Sequence, residues 1–159
     1  MNVFLSITIL LFLVPSVVLS QNTTITSFSK SKKQLAKVYK DNPITLYCGC
    51  SFEEKTPNFS SCGYIPKNNN KRANRIEWEH VVPAYVFGIF FSEWTVGHPY
   101  CVKKNGKKYK GRRCAGKVNK EFKRMEADMY NLFPAIGEVN GLRSNYVMTI
   151  IKGDEKEFG

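Results

Sequence analysis

The sequence predicts an α+β fold, with mixed helices and short strands around one core, stapled by disulfides. Three observations predict it. Apolar residues recur at helical spacing on both sides of the chain's middle. A β-branched, alternating run at 75–82 lies between them. Five cysteines follow an apolar N-terminal segment of export type.

The N-terminal run at 3–19 is uncharged, and Val18-Leu19-Ser20 places small residues where signal peptidase cuts. The run is short for a membrane span of ~20 residues, and polar Gln21-Asn22-Thr23-Thr24 follows it. Residues 1–20 are therefore expected to be a signal peptide. The remaining 159 − 20 = 139 residues (21–159) are expected to form a single domain with a real core and no stable membrane association. Export favours disulfides among Cys48, Cys50, Cys62, Cys101 and Cys114. An odd number permits at most two internal bridges, in several arrangements. The Cys48-Gly49-Cys50 spacing is too tight for the usual zinc knuckle.

Leu35, Val38 and Tyr39 predict a helix over 29–40, with lysines on its other face and Asn42-Pro43 as its stop. A short β-like run follows at 44–47. Residues 51–71 read as loop, with Asn68-Asn69-Asn70 at an exposed tip. The run at 75–82 reads as a strand. Pro83 then suits the first position of a helix through Phe87, and the aromatic stretch 87–94 reads as core. Val118, Phe122, Met125 and Met129 predict one helix over 118–131, which Pro134 would stop. A short helix at 136–144 and a strand at 146–151 complete the expected order.

The formal net charge of +11 points to a polyanionic partner. It is concentrated: residues 103–124 hold eleven basic side chains and one acid, Glu121, which favours a nucleic-acid-facing patch over a merely solvated loop. The most informative residues are Glu79 and His80, a carboxylate beside one of only two histidines. A histidine near neutrality can take a proton from water, and a carboxylate can hold a divalent cation. Successive strand residues point to opposite faces, so the strand must end or bulge there if both are to serve one site. Asn140 lies on a glycine-bounded helical turn, and its amide oxygen is a hard ligand suited to Mg²⁺.

Four blocks, YCGC (47–50), RIEWEHVVPA (75–84), GRRC (111–114) and MEADMYNLFPAIGEVNGLRSNY (125–146), occur in this order, and together they resemble the endonuclease I family of periplasmic or secreted non-specific nucleases. The resemblance runs from about Ser27 to Gly159. It implies a ββα-metal (His-Me finger) site with His80 as general base. Glu79 and Asn140 would hold one Mg²⁺, and Arg112 would steady the cleaved phosphate. Glu126 would be an acidic group near the site, and Asn131 would orient the site backbone. Arg143, Arg113 and Lys117 are expected to bind substrate phosphates. The implied activity is hydrolysis of DNA, with RNA a further candidate substrate, to 5′-phosphate ends by a monomer. The chain departs from the family pattern at Tyr130 and Leu142, and at Ala115, where a second cysteine is common. Family members continue past Phe158-Gly159, so the resemblance implies a chain lacking the family's C-terminal portion. A relative that binds nucleic acid without cutting it is the alternative reading. A basic protein aimed at anionic membrane has only the charge in its favour.

Overall fold

The computed structural model of the protein describes residues 24–67 and 71–148. The expected signal peptide (1–20), the Asn68-Asn69-Asn70 tip and positions 149–151 of the expected last strand lie outside the described residues. Helix α1 (Phe28–Val38) starts where the Ser27 hydroxyl accepts the Lys30 N–H. It buries Leu35 and Ser31, and the Ser31 hydroxyl donates to the Ala127 carbonyl at 2.6 Å, tying α1 to the far end of the chain. A small antiparallel pair follows, β1 (Phe52–Glu53) and β2 (Thr56–Pro57), inside the segment expected to be loop. The expected run at 44–47 reduces to a single bridge, Ile44 to Ser51.

The central pair is β3 (Ile76–His80) with β4 (Leu132–Ile136), antiparallel, with Glu77 opposite Ala135 and His80 opposite Leu132. Between these strands the chain makes a helical excursion: α2 (Ala84–Gly88), α3 (Ser92–Thr95), α4 (Arg112–Val118) and α5 (Lys120–Glu126). Helix α6 (Gly137–Arg143) follows β4 directly and packs on both strands. No helix among the described residues is long and apolar enough to cross a membrane.

The helix expected over 118–131 is three elements. Asn119 ends α4 and caps α5 with its side chain, accepting the Phe122 N–H at 2.9 Å. Asp128 then caps a separate 3-10 turn, Met129–Asn131, through the Tyr130 N–H. Short polar side chains that bond the local backbone compete with helix continuation, and the apolar spacing did not reveal this. Pro134 interrupts no helix; it sits in β4, and its carbonyl accepts the Leu46 N–H. Residues 146–148 carry no strand.

Two apolar clusters flank the strand pair. Phe122 is fully buried among Phe87, Phe91, Trp94, Ala84 and Ala115; of the 87–94 stretch expected to be core, Phe87 is buried and Phe91 and Trp94 are half-buried against this cluster, while Ile89 and Phe90 face solvent. Ile136 and Val139 pack with Cys50, Tyr47, Phe59 and Tyr64. The disulfides are Cys50–Cys62 and Cys101–Cys114, leaving Cys48 as a thiol. Each closes a short loop, a constraint worth about 3 kcal/mol in the chain-entropy account. One staples the cluster under α6, and the other fixes the start of α4 to the basic loop.

Candidate active site

The site is built where β3 ends. Alternation along β3 puts Glu77 and Glu79 on the face covered by α6, and Trp78 and His80 on the opposite face. On the α6 side two pairs form in step. Asn140 Nδ2 donates to Glu77 at 3.2 Å, and Arg143 Nη1 donates to Glu79 at 2.8 Å. On the other side His80 meets the Phe28 ring at a centroid distance of 5.0 Å and the Phe87 ring at 6.5 Å. Because β3 stops at His80, the two faces meet in one cleft of about 100 Å³, lined among others by Glu79, His80, Arg112, Asn140 and Arg143. The strand end thus resolves the geometric difficulty of adjacent Glu79 and His80.

His80 is oriented by a backbone group. Its Nε2 lies 2.9 Å from the carbonyl of Glu126, the last residue of α5, whose C=O has no partner within the helix. A carbonyl only accepts, so Nε2 carries the proton and Nδ1 is left as the basic nitrogen. Burial, helped by the nearby charges of Arg112 and Arg143, lowers the His80 pKa to about 4 against the opposing effect of the carbonyl, so the ring is neutral at pH 7. The Glu126 carboxylate serves a second purpose, accepting Arg112 Nε at 2.6 Å. The Arg112 guanidinium also stacks over Phe28 and remains partly exposed at the cleft.

Glu79 is 3 % exposed. Its Oε1 accepts the Tyr47 hydroxyl at 2.8 Å and Arg143; burial still raises its pKa above the ordinary carboxylate value, and burial likewise pushes the Tyr47 phenol up. Among the described residues nothing donates to Glu79 Oε2 or to Asn140 Oδ1. Arg143, expected at a phosphate, is turned inward. It donates to the His80 carbonyl at 2.8 Å and to the Val81 carbonyl, and its buried Nε has no hydrogen-bond partner among the described residues. Asn131 clamps the same turn: its side chain accepts the Val82 N–H at 2.7 Å and donates to the Val82 carbonyl at 3.0 Å. Arg113 and Lys117 are elsewhere. They line a separate basic hollow with Lys103, Lys104 and Tyr109, where Arg113 lies over the Tyr109 ring and Lys117 donates to the Tyr100 carbonyl.

Sequence reasoning missed Tyr47, Glu77 and the Arg72 and Arg75 side chains that grip Glu77. For Glu77 a signal existed, since it stands two residues before Glu79 and so shares its face. Tyr47 opens the YCGC block, but nothing along the chain ties it to Glu79, 32 positions away. Two oxygens, from a carboxylate and an amide, suit Mg²⁺, which keeps most of its waters and needs few protein ligands. No cluster of three or more His, Cys, Asp or Glu side chains able to hold a metal occurs among the described residues, so they offer no thiolate or imidazole centre as an alternative.

Fold and site define a disulfide-stapled α+β protein in which an antiparallel strand pair and the following helix present histidine, carboxylate, amide and guanidinium groups to one cleft. Residues 14–156 match the family model described as Endonuclease I, and the chain belongs to the endonuclease I family. It is 44% identical over 137 residues to an "Extracellular deoxyribonuclease" of Aeromonas hydrophila, an alignment covering 84% of this chain and 54% of that protein. A "Periplasmic deoxyribonuclease" of Aeromonas hydrophila is 43% identical over 137 residues, covering 84% and 52%. "Endonuclease-1" of Buchnera aphidicola subsp. Acyrthosiphon pisum is 40% identical over 141 residues, covering 86% and 50%. The chain thus spans about half the length of the curated relatives it matches.

Proposed function

We propose that this protein is an exported, Mg²⁺-dependent, non-specific endonuclease of DNA, with RNA as a further substrate, acting as a monomer outside the cytoplasm after removal of residues 1–20. The observation that carries the reading is the convergence on one cleft of a neutral His80 with a basic Nδ1, of Glu79 and Asn140, each with an oxygen that accepts no hydrogen bond from the described residues, and of Arg112. The deoxyribonuclease names of its relatives support the substrate, and their extracellular and periplasmic placement supports export.

His80 Nδ1 takes a proton from a water as that water's oxygen attacks phosphorus. The P–O3′ bond breaks, the leaving oxygen takes up a proton from solvent, and 5′-phosphate and 3′-hydroxyl ends result. Arg112, held by Glu126, faces the phosphate oxygens as charge builds on them. Glu79 and Asn140 would hold a Mg²⁺ ion, which when bound supplies further positive charge to the phosphate and its leaving group. Arg143 and Asn131 keep the turn after His80 in place. Phosphate contacts carry no base information, so sequence specificity is low.

Supercoiled-plasmid nicking by the oxidised chain, in Mg²⁺ and in EDTA, tests the reading. Mg²⁺-dependent nicking to 5′-phosphate ends is expected. DNA binding without nicking would turn the reading to the non-cutting relative.

The acid limb of activity should lie below pH 6. The reactive imidazole is the neutral form, and a pKa of about 4 keeps it neutral far below the 6.5 of a solvated ring. A bound cation would lower the His80 pKa further and would oppose the rise that burial causes at Glu79. A limb centred near 6.5 in the pH profile of kcat/KM would show that the His80 ring is solvated, because burial is what lowers its pKa.

Binding should weaken steeply with salt. Each phosphate contact made by the hollow around Arg113 and Lys117 adds about 0.9 to the log–log slope on duplex DNA. Replacing Lys103, Lys104 and Arg113 by alanine should flatten that slope. An unchanged slope would remove the hollow from the substrate path.

A further inference from the structure

We propose that Glu77 is a positioning residue for metal binding: by accepting the Asn140 amide N–H it fixes which end of that amide is offered to the cleft. The proposal rests on the reading of Asn140 as a metal ligand. A side-chain amide can present either its oxygen or its NH₂, and only the oxygen binds a cation. With Nδ2 committed to Glu77 at 3.2 Å, Oδ1 is the end left for the cleft.

Glu77 can do this because it is itself fixed. Arg72 donates to its two oxygens at 3.1 and 2.6 Å, and Arg75 donates twice to Oε1, at 2.9 and 2.5 Å. Its charge is therefore neutralised away from the cleft, which suits a holder of the amide and not a ligand. The face of α6 is shaped to admit this group. A Cβ on Gly137 would stand 2.6 Å from the Arg72 carbonyl and 3.0 Å from Glu77 Cγ and Cδ. A Cβ on Gly141 would stand 2.6 Å from Arg72 Nη1. Two glycines one turn apart thus let the Arg72–Glu77 pair lie flat against the turn that carries Asn140. The glycines that bound Asn140 in the sequence gain a physical reason: they make room for the group that aims it.

Outer-shell partners of metal ligands typically change affinity about 10–100-fold when lost. The test is Mn²⁺ binding to the oxidised full chain without nucleic acid, read by electron paramagnetic resonance. Glu77→Met keeps the side-chain volume and removes the acceptor; Glu77→Gln keeps an acceptor. We expect Glu77→Met to weaken Mn²⁺ about 10-fold with an unchanged circular dichroism spectrum, and Glu77→Gln to recover most of that loss. In an Asn140→Ala background Glu77→Met should add nothing. Wild-type affinity in Glu77→Met, alongside weakened binding in Asn140→Ala, overturns the proposal and leaves the metal reading standing. Wild-type affinity in Asn140→Ala overturns both. Should Glu77→Met not fold, proton exchange of the Asn140 side-chain amide in the unaltered chain decides. One protected Nδ2 proton supports the proposal, and exchange of both at the rate of a free amide overturns it.

Discussion

Replacing His80 by alanine is expected to abolish nicking while leaving DNA affinity nearly unchanged. His80 is 5 % exposed, and among the described residues its ring makes one hydrogen bond, to the Glu126 carbonyl, so little of it is available to a substrate phosphate. What disappears is the Nδ1 lone pair, and loss of a positioned general base slows a reaction by about 10²–10⁴-fold. The alanine leaves the Glu126 carbonyl without this donor and a gap beside Phe28 and Phe87. The measurement should therefore pair plasmid nicking with a binding isotherm and a melting curve. A folded His80→Ala variant that nicks at the wild-type rate would remove the histidine from the chemistry. His80→Gln is a useful second variant, since its amide can still donate to the Glu126 carbonyl but is no base.

The largest expected effect on stability is at Arg143. Its side chain is 9 % exposed and that of Glu79 4 %. Such a pair gains little over apolar packing, but removal of one member strands a buried charge, at a cost of about 3–5 kcal/mol. Arg143→Met, which keeps most of the stem, should lose that much in urea denaturation at pH 7. It also loses the bonds to the His80 and Val81 carbonyls that hold the end of β3. Adding Glu79→Gln should restore part of the loss, because the uncompensated carboxylate is then gone. A loss below about 1 kcal/mol is the behaviour of a solvated pair and would contradict the burial of Arg143 and Glu79. The outcome also separates two roles. An arginine that mainly meets substrate phosphate would cost affinity and spare the fold; the inward geometry predicts the reverse order.

Much of this was legible in the sequence, for local reasons. The β-branched alternation of 75–82 marks β3, and the helical spacing of Leu35 marks α1. The export-type N-terminus with five cysteines marks disulfides, and the adjacency of Glu79 and His80 marks chemistry. The uninterrupted helix over 118–131 failed because apolar spacing is blind to the capping side chains of Asn119 and Asp128. The cysteine pairing stayed open because spacing alone does not say which thiols meet.

The sequence by itself determined the α+β class, the family and the residue types the site needs. Periodicity, charge and motif are properties of neighbours along the chain. Only the tertiary structure decided how those groups are poised. It joins His80 to a carbonyl 46 positions away, which leaves Nδ1 as the unprotonated ring nitrogen. It turns Arg143 onto Glu79 and the end of β3, and sets Glu77 against Asn140 across 63 positions. Each of these is a contact between a strand and a helix that only packing brings together, and burial at those contacts sets the charge states on which the chemistry depends.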